Sequence, residues 1–336
     1  MTRRIRLIMF MTRPAVAVLF GLYAAIGLAS TGHGEDRWLL ARVLLVMFGF
    51  LLLSVACNDI ADERIDAINL AGDPRRPLVG NTGRRTEMQV IGTVSAVVAL
   101  AVSGTLGWPV VAVVTGGMVV SANYSLRPVR VADRGALASL LLPACYVATP
   151  YLVGHFAAVS RLGPADFTLL AGLYVTFIGR ILLKDFRDVR GDALFGKRTF
   201  LVRHGRRPTC LFSAVCLAVG AGVLVTGVQH PTVPLVVGYA LGTLAMLGLL
   251  AALATDLGHR RDESIISALA IVGRGMLLLL LAHLEMRTAH WSLPAYTAVM
   301  AALALAFATQ AVTMLRRGAF VKIGLTAAST HETIET

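Results

Sequence analysis

Apolar runs long enough to cross a bilayer recur along almost the whole chain, at about 14–32, 38–57, 88–106, 108–122, 135–158, 166–183, 209–229, 232–255, 264–284 and 291–315. A membrane helix needs about 20 such residues. Backbone within hydrocarbon must satisfy its own hydrogen bonds, so continuous apolar runs of this length form helices. The expected fold is therefore all-α, a polytopic transmembrane helical bundle of nine to ten spans, ten by direct count. The tight Gly107-Trp108-Pro109 turn makes the third and fourth spans a hairpin. Composition agrees, with 56% hydrophobic residues, 15% charged residues and a mean hydropathy of +0.73. Soluble domains carry about 25% charged residues.

Basic residues orient the bundle. When the loops are assigned to alternate sides, 25 of the 31 Lys and Arg fall on one side, which the positive-inside rule makes cytoplasmic. Both termini are expected there. The net charge of +12 is thus a topology signal, and it does not point to nucleic acid, because the basic residues sit in short loops and form no polar face. The outer loops are short. Three inner segments, 58–87, 123–134 and 184–208, are long enough to carry function. The basic-then-apolar N-terminus reads as a retained first helix, since the same pattern continues along the chain. Cys57, Cys145, Cys210 and Cys216 show no metal-ligand spacing and read as buried free thiols.

The second run leads directly into Cys57-Asn58-Asp59-Ile60-Ala61-Asp62-Glu63-Arg64-Ile65-Asp66. On a continuing helix, Asn58, Asp62 and Asp66 share one face. The sixth run ends in Lys184-Asp185-Phe186-Arg187-Asp188-Val189-Arg190-Gly191-Asp192, so Asp185, Asp188 and Asp192 repeat the spacing of Asp59, Asp62 and Asp66. Either cluster alone is ordinary solvated helix-end sequence. Two with identical spacing on one side of a membrane are not. Six carboxylates gathered into one cavity repel unless a cation lies between them. Oxygen donors without nearby His or Cys suit a hard ion, Mg²⁺ or Ca²⁺, and Mg²⁺ completes its shell with water and substrate phosphates. Neighbouring Lys and Arg suit a diphosphate. The third inner segment holds Asn123-Tyr124-Ser125-Leu126-Arg127-Pro128-Val129-Arg130 and faces the same cavity mouth. Arg274 is an intramembrane charge in reach of the site or of Asp262 and Glu263; His283 reads as a buried, hydrogen-bonded histidine.

The chain resembles the UbiA superfamily of intramembrane prenyltransferases over roughly residues 13–208. The family's first motif, N-D-x-x-D-x-x-x-D followed by N and R-P, is met at Asn58, Asp59, Asp62, Asp66, Asn69, Arg76 and Pro77. The second, D-x-x-D-x-x-G-D followed by G-x-K/R-T, is met at Asp185, Asp188, Gly191, Asp192, Gly196, Arg198 and Thr199. The intervening Y-S-x-P-P-x-R element is met at Tyr124, Ser125, Pro128 and Arg130, with Arg127 in place of its first Pro and Ala132 in place of a frequent Lys. The family usually has nine spans.

The resemblance implies one transmembrane prenyltransferase domain over 1–336, with further spans at 209–315 and a polar tail at 316–336. It implies Mg²⁺, a prenyl diphosphate donor and a lipophilic or aromatic acceptor taken from the bilayer. The implied metal ligands are Asn58, Asp62, Asp66, Asp185 and Asp188, with Asp59 and Asp192 direct or one shell out. Arg76, Arg130, Lys184 and Lys197 would neutralise the leaving diphosphate, and Tyr124 and Ser125 would bind it or orient the acceptor. A terpene cyclase, or a transferase with a non-aromatic acceptor, would keep the same clusters. A transporter would instead place charge near mid-membrane.

Overall fold

The computed structural model describes residues 3–69, 76–80, 83–187, 194 and 199–318, and among these it contains helices and turns but no strand. The helices are α1 (Arg3–Thr12), α2 (Pro14–Ala29), α3 (Arg37–Asn69), α4 (Arg85–Gly104), α5 (Trp108–Ser125), α6 (Ala136–Pro143), α7 (Thr149–Phe156), α8 (Pro164–Ile181), α9 (Phe200–His204), α10 (Arg206–Gly227), α11 (Val233–Leu253), α12 (His259–Thr288) and α13 (Leu293–Arg317). Proline recurs in the first turn, at Pro14, Pro109, Pro150, Pro164, Pro234 and Pro294. There its missing N–H costs nothing and its fixed φ suits the helix.

Among the described residues, eight helices are long and apolar enough to span a membrane, and the bent pair Ile5–Thr12 with Pro14–Ala29, 61° apart, makes up to nine. The count of ten from the sequence included 108–122. That run is helical in α5 and packs against α3 and α4. It falls outside the eight because its last turns carry Ser121, Asn123, Tyr124 and Ser125, which lower its hydropathy. Outward faces are apolar: α4 exposes Val90, Val94 and Val97 on one side. In water such a stripe would be an association surface; in a bilayer it meets lipid.

Two cores form. One joins α1, α2, α3, α4 and α5 around Met47, Phe50 and Val114. The other joins α2, α7, α8 and α10 to α13 around Leu173, Leu269 and Met246. Helix α2 serves both, with Phe20 and Ala24 in the first and Tyr23 and Ile26 in the second. It crosses α7 at two glycines. A Cβ on Gly27 would lie 2.0 Å from the Tyr151 carbonyl oxygen, and one on Gly154 would lie 2.0 Å from that of Ala24. Only hydrogen fits at these two positions.

Between α6 and α7 the helix widens into one π turn, Ala144–Ala148. Pro150 has no N–H to return to the preceding turn, so the backbone must relax locally. The bulge turns Cys145 and Tyr146 toward the space between the two cores. All four cysteines are free. His283 is buried, with Nδ1 3.1 Å from the Tyr296 hydroxyl, as expected of a core histidine.

Candidate functional site

Helix α3 runs unbroken for 33 residues. At 1.5 Å per residue that is about 50 Å, well beyond the ~30 Å hydrocarbon core. Its last turns therefore carry Asn58, Asp59, Asp62 and Asp66 past the apolar part of the bundle, on one continuous helix as the spacing requires. Asn58 donates to Asp62 Oδ2 at 2.9 Å, one turn on.

The carboxylates face arginines drawn from three other segments. Asp59 is 4% exposed and takes Arg13, from the bend between α1 and α2, and Arg76 Nη1 at 2.8 Å. The same Arg76 nitrogen lies 3.1 Å from Asp66 Oδ2. Arg130 donates from Nη2 to Asp62 Oδ1 at 2.6 Å, from Nε to Asp133 at 2.7 Å and from Nη1 to the Ala61 carbonyl at 3.0 Å. Desolvated carboxylates need such partners, and guanidinium forks can serve two at once.

On the opposite wall α8 continues through a 3₁₀ turn, Leu182–Lys184, into Asp185, which is 4% exposed. A cavity of about 170 Å³ lies between the walls. Asn58, Asp62 and Asp66 line it from α3, Tyr124 and Ser125 from the end of α5, and Lys184 and Asp185 from beyond α8. Arg13 and Arg76 close its rim. One turn deeper, Ser121 donates to Ser54 at 2.8 Å, and beyond them the wall becomes apolar at Leu142, Cys145, Tyr146 and Ile181. The cavity is thus charged at one end and apolar at the other.

Eight residues expected from the sequence line this one space: Asn58, Asp62, Asp66, Arg76, Tyr124, Ser125, Lys184 and Asp185. Asp59 turns instead to Arg13 and Arg76, and Arg130 grips Asp62 from outside the cavity. Asp188, Asp192 and Lys197 lie outside the described residues, as do Gly191, Gly196 and Arg198. Among the described residues, no three His, Cys, Asp or Glu side chains are close enough together to hold a metal ion. Arg274 does not pair with Asp262 or Glu263; Asp262 is taken by Arg206 at 2.6 Å. Arg13, Ser54, Ser121 and Tyr146 were not singled out by the motifs. Arg13 had a signal, an arginine directly before the first helix proline, but nothing local ties it to Asp59, 46 positions away.

Residues 17–271 match the family model described as the UbiA prenyltransferase family. The chain is 30% identical over 186 residues to the bacteriochlorophyll synthase 34 kDa chain of Chloroflexus aurantiacus, covering 54% of this chain and 58% of that one. It therefore spans less than two thirds of that relative's length. It is 30% identical over 221 residues to the digeranylgeranylglyceryl phosphate synthase of Methanoculleus marisnigri, covering 64% of this chain and 75% of that one. The structure is similar to that of a UbiA homologue from Archaeoglobus fulgidus solved with DMAPP and Mg²⁺, with a TM-score of 0.54 at 13% identity over 94% of this chain and 99% of the other. With three quarters of its length matched by the family model, the chain belongs to the UbiA prenyltransferase family, as a multi-pass integral membrane protein.

Proposed function

We propose that this protein is a Mg²⁺-dependent prenyltransferase, which moves an allylic prenyl group from its diphosphate to an aromatic or other lipophilic acceptor within the membrane. One observation carries this reading. Carboxylates from two separate helix ends, Asp62 and Asp66 on one side and Asp185 on the other, line a single cavity with Lys184, Arg76 and Tyr124, and the cavity is apolar at its inner end. The relatives' names agree, as does the Archaeoglobus homologue that binds DMAPP and Mg²⁺.

The donor set fits a hard divalent ion, being all oxygen: Asn58, Asp62, Asp66 and Asp185 in the cavity, with Asp188 and Asp192 continuing the second motif. Asp59 retains a buried Oδ2 with no partner among the described residues, an acceptor still to be satisfied. When bound, Mg²⁺ would neutralise diphosphate oxygens and make the group a better leaving group. Lys184, Arg76, Arg13 and Lys197 would hold that diphosphate by charge, and Arg130 would fix Asp62. As the allylic C–O bond breaks, its electron pair leaves on the diphosphate, and the positive charge stays on the prenyl carbons. The Leu142, Tyr146 and Ile181 wall would keep water from that cation. Tyr124 and Ser125 would orient the reactants. The acceptor would then form its bond to the allylic carbon and lose a proton. The basic loops would place the site, and both termini, on the cytoplasmic side.

The test is product analysis on membranes holding the protein, with radiolabelled geranyl, farnesyl and geranylgeranyl diphosphates, Mg²⁺, and a panel of phenolic and lipid acceptors. Label on an acceptor, absent in Asp62→Ala, is the expected result. A hydrocarbon or terpene alcohol formed without acceptor would make the protein a cyclase, and no consumption of any donor would overturn the reading.

A further inference from the structure

Helix α8 has two working faces. Ile181 and, beyond it, Lys184 and Asp185 close the carboxylate cavity, whereas Thr176, Phe177, Arg180 and Leu183 line a second one. The second cavity is bounded by Tyr23 of α2, Leu224 of α10, Tyr239 of α11 and Gly273 of α12. Tyr146 stacks on Phe177 at 5.5 Å and Tyr23 meets Phe177 edge-on at 6.3 Å. These rings form the partition between the two spaces.

Arg180 lies within the span Pro164–Arg187, and Arg274 lies within His259–Met286. Among the described residues neither has a hydrogen bond or a salt bridge. Arg180 and Tyr23 line this one cavity. The Arg180 stem passes Gly273, its Cδ 4.0 Å from where a Cβ would stand, an ordinary contact. The other polar groups around the cavity are satisfied: Tyr239 donates to the Met276 carbonyl at 3.1 Å, and Thr176 to that of Gly172 at 2.8 Å. The Tyr23 hydroxyl is not. Tyr23 is 2% exposed and has no hydrogen-bond partner among the described residues. Two groups with N–H or O–H donors to spare, one of them cationic, thus line an apolar, membrane-embedded space that no Asp or Glu among the described residues enters.

An intramembrane arginine is costly and marks a functional site by default. What Arg180 and Tyr23 lack is an anion. The cavity measures about 30 Å³. Since one water requires about 10–15 Å³ of such volume, this is room for a group of two or three heavy atoms. Its apolar lining disfavours a hydrated ion. We propose that this cavity is a second binding site, which takes the carboxylate head of a lipophilic acid, with Arg180 and Tyr23 donating to the head and the alkyl chain remaining outside it. The site is separate from the aspartate cavity and does not depend on its chemistry.

The test is photolabelling of the purified full chain in detergent with a diazirine-bearing long-chain fatty acid, mapped by peptide mass spectrometry. Labelling of α8, α11 or α12 is expected, competed by oleate but not by oleyl alcohol or acetate. Arg180→Met should lower labelling at least tenfold and Tyr23→Phe severalfold, while Arg180→Lys retains part of it. If Arg180→Met does not fold, the Tyr23→Phe and Arg180→Lys pair carries the test. Equal competition by the alcohol, or labelling unchanged in these variants, would overturn the proposal. Stronger competition by an alkyl phosphate would overturn the carboxylate assignment, and competition by acetate alone would leave an adventitious ion only.

Discussion

Arg130 holds Asp62 from behind: its Nη2 donates to Oδ1 at 2.6 Å, while its Nε is anchored on Asp133 at 2.7 Å. Asp62 lines the cavity and Arg130 does not. The arginine backbone is left-handed, with φ at 33°, which presents the fork to both carboxylates. Arg130→Lys should therefore lower kcat/KM by about tenfold to a hundredfold, ~1.4–2.8 kcal/mol, because an ammonium's donors all radiate from one nitrogen and cannot reproduce the planar fork that reaches Asp62, Asp133 and the Ala61 carbonyl at once. Asp133→Ala, which removes only the anchor, should cost less than tenfold. Steady-state assays with a labelled prenyl diphosphate read both, and a lysine variant with normal kinetics would end the positioning role.

Asp59 and Asp62 should separate stability from turnover. Asp59 neutralises Arg13 and Arg76 and lies outside the cavity. Asp59→Asn strips a buried partner from both, at about 2–3 kcal/mol, below the ~3–5 kcal/mol of a fully buried pair because each arginine is about a quarter exposed. A lowered Tm in detergent is expected. Asp62→Ala should lower Tm by less, since Arg130 keeps Asp133 and the Ala61 carbonyl, and should abolish prenyl transfer. If Asp62→Ala unfolds the protein and Asp59→Asn does not, the two assignments are reversed.

How much of this was legible beforehand follows from the range of each interaction. Periodicity along one helix places Asn58, Asp62 and Asp66 on a shared face, and the repeat of the spacing at Asp185 draws the second wall; both are local and readable. The Arg13–Asp59 pair spans 46 positions and depends on the bend between α1 and α2, which no local pattern encodes. Arg274 is legible as an intramembrane charge, yet it is Arg180 that lines the second cavity. Its position four residues before Lys184 hid it among the basic residues of a span end. The π turn that aims Tyr146 at the site needed Pro143 and Pro150 to be weighed together with the packing of α7 on α2.

That packing predicts a sharp contrast between glycines. Gly154→Ala would bring Cβ within 2.0 Å of the Ala24 carbonyl oxygen, a backbone atom that cannot swing away. The cost should reach about 3 kcal/mol, the upper end of the overpacking range. Gly116→Ala meets nothing within 4 Å on the exposed side of α5. Replacing a helical glycine there should be neutral or stabilise by ~0.5 kcal/mol. Thermal unfolding monitored by tryptophan fluorescence distinguishes them, and equal Tm values would contradict the α2–α7 crossing.

Metal and donor should stabilise the protein only together. Asp62, Asp66 and Asp185 share the cavity, but no three acidic groups among the described residues are close enough to hold an ion without help. A diphosphate supplies the missing oxygens, since Mg²⁺ is bound through a few carboxylates plus substrate phosphates. Ligation stabilises by RT ln(1 + [L]/Kd), about 2.7 kcal/mol at a hundredfold excess over Kd. After treatment with EDTA, geranyl diphosphate alone or Mg²⁺ alone should shift Tm by little, and the two combined by several degrees. The combined shift should vanish in Asp62→Ala and in Asp185→Asn. A full shift from Mg²⁺ alone would mean that the carboxylates already form a closed metal site. A full shift from the diphosphate alone would mean that Lys184 and the arginines hold it without metal, and the Mg²⁺ requirement would fall.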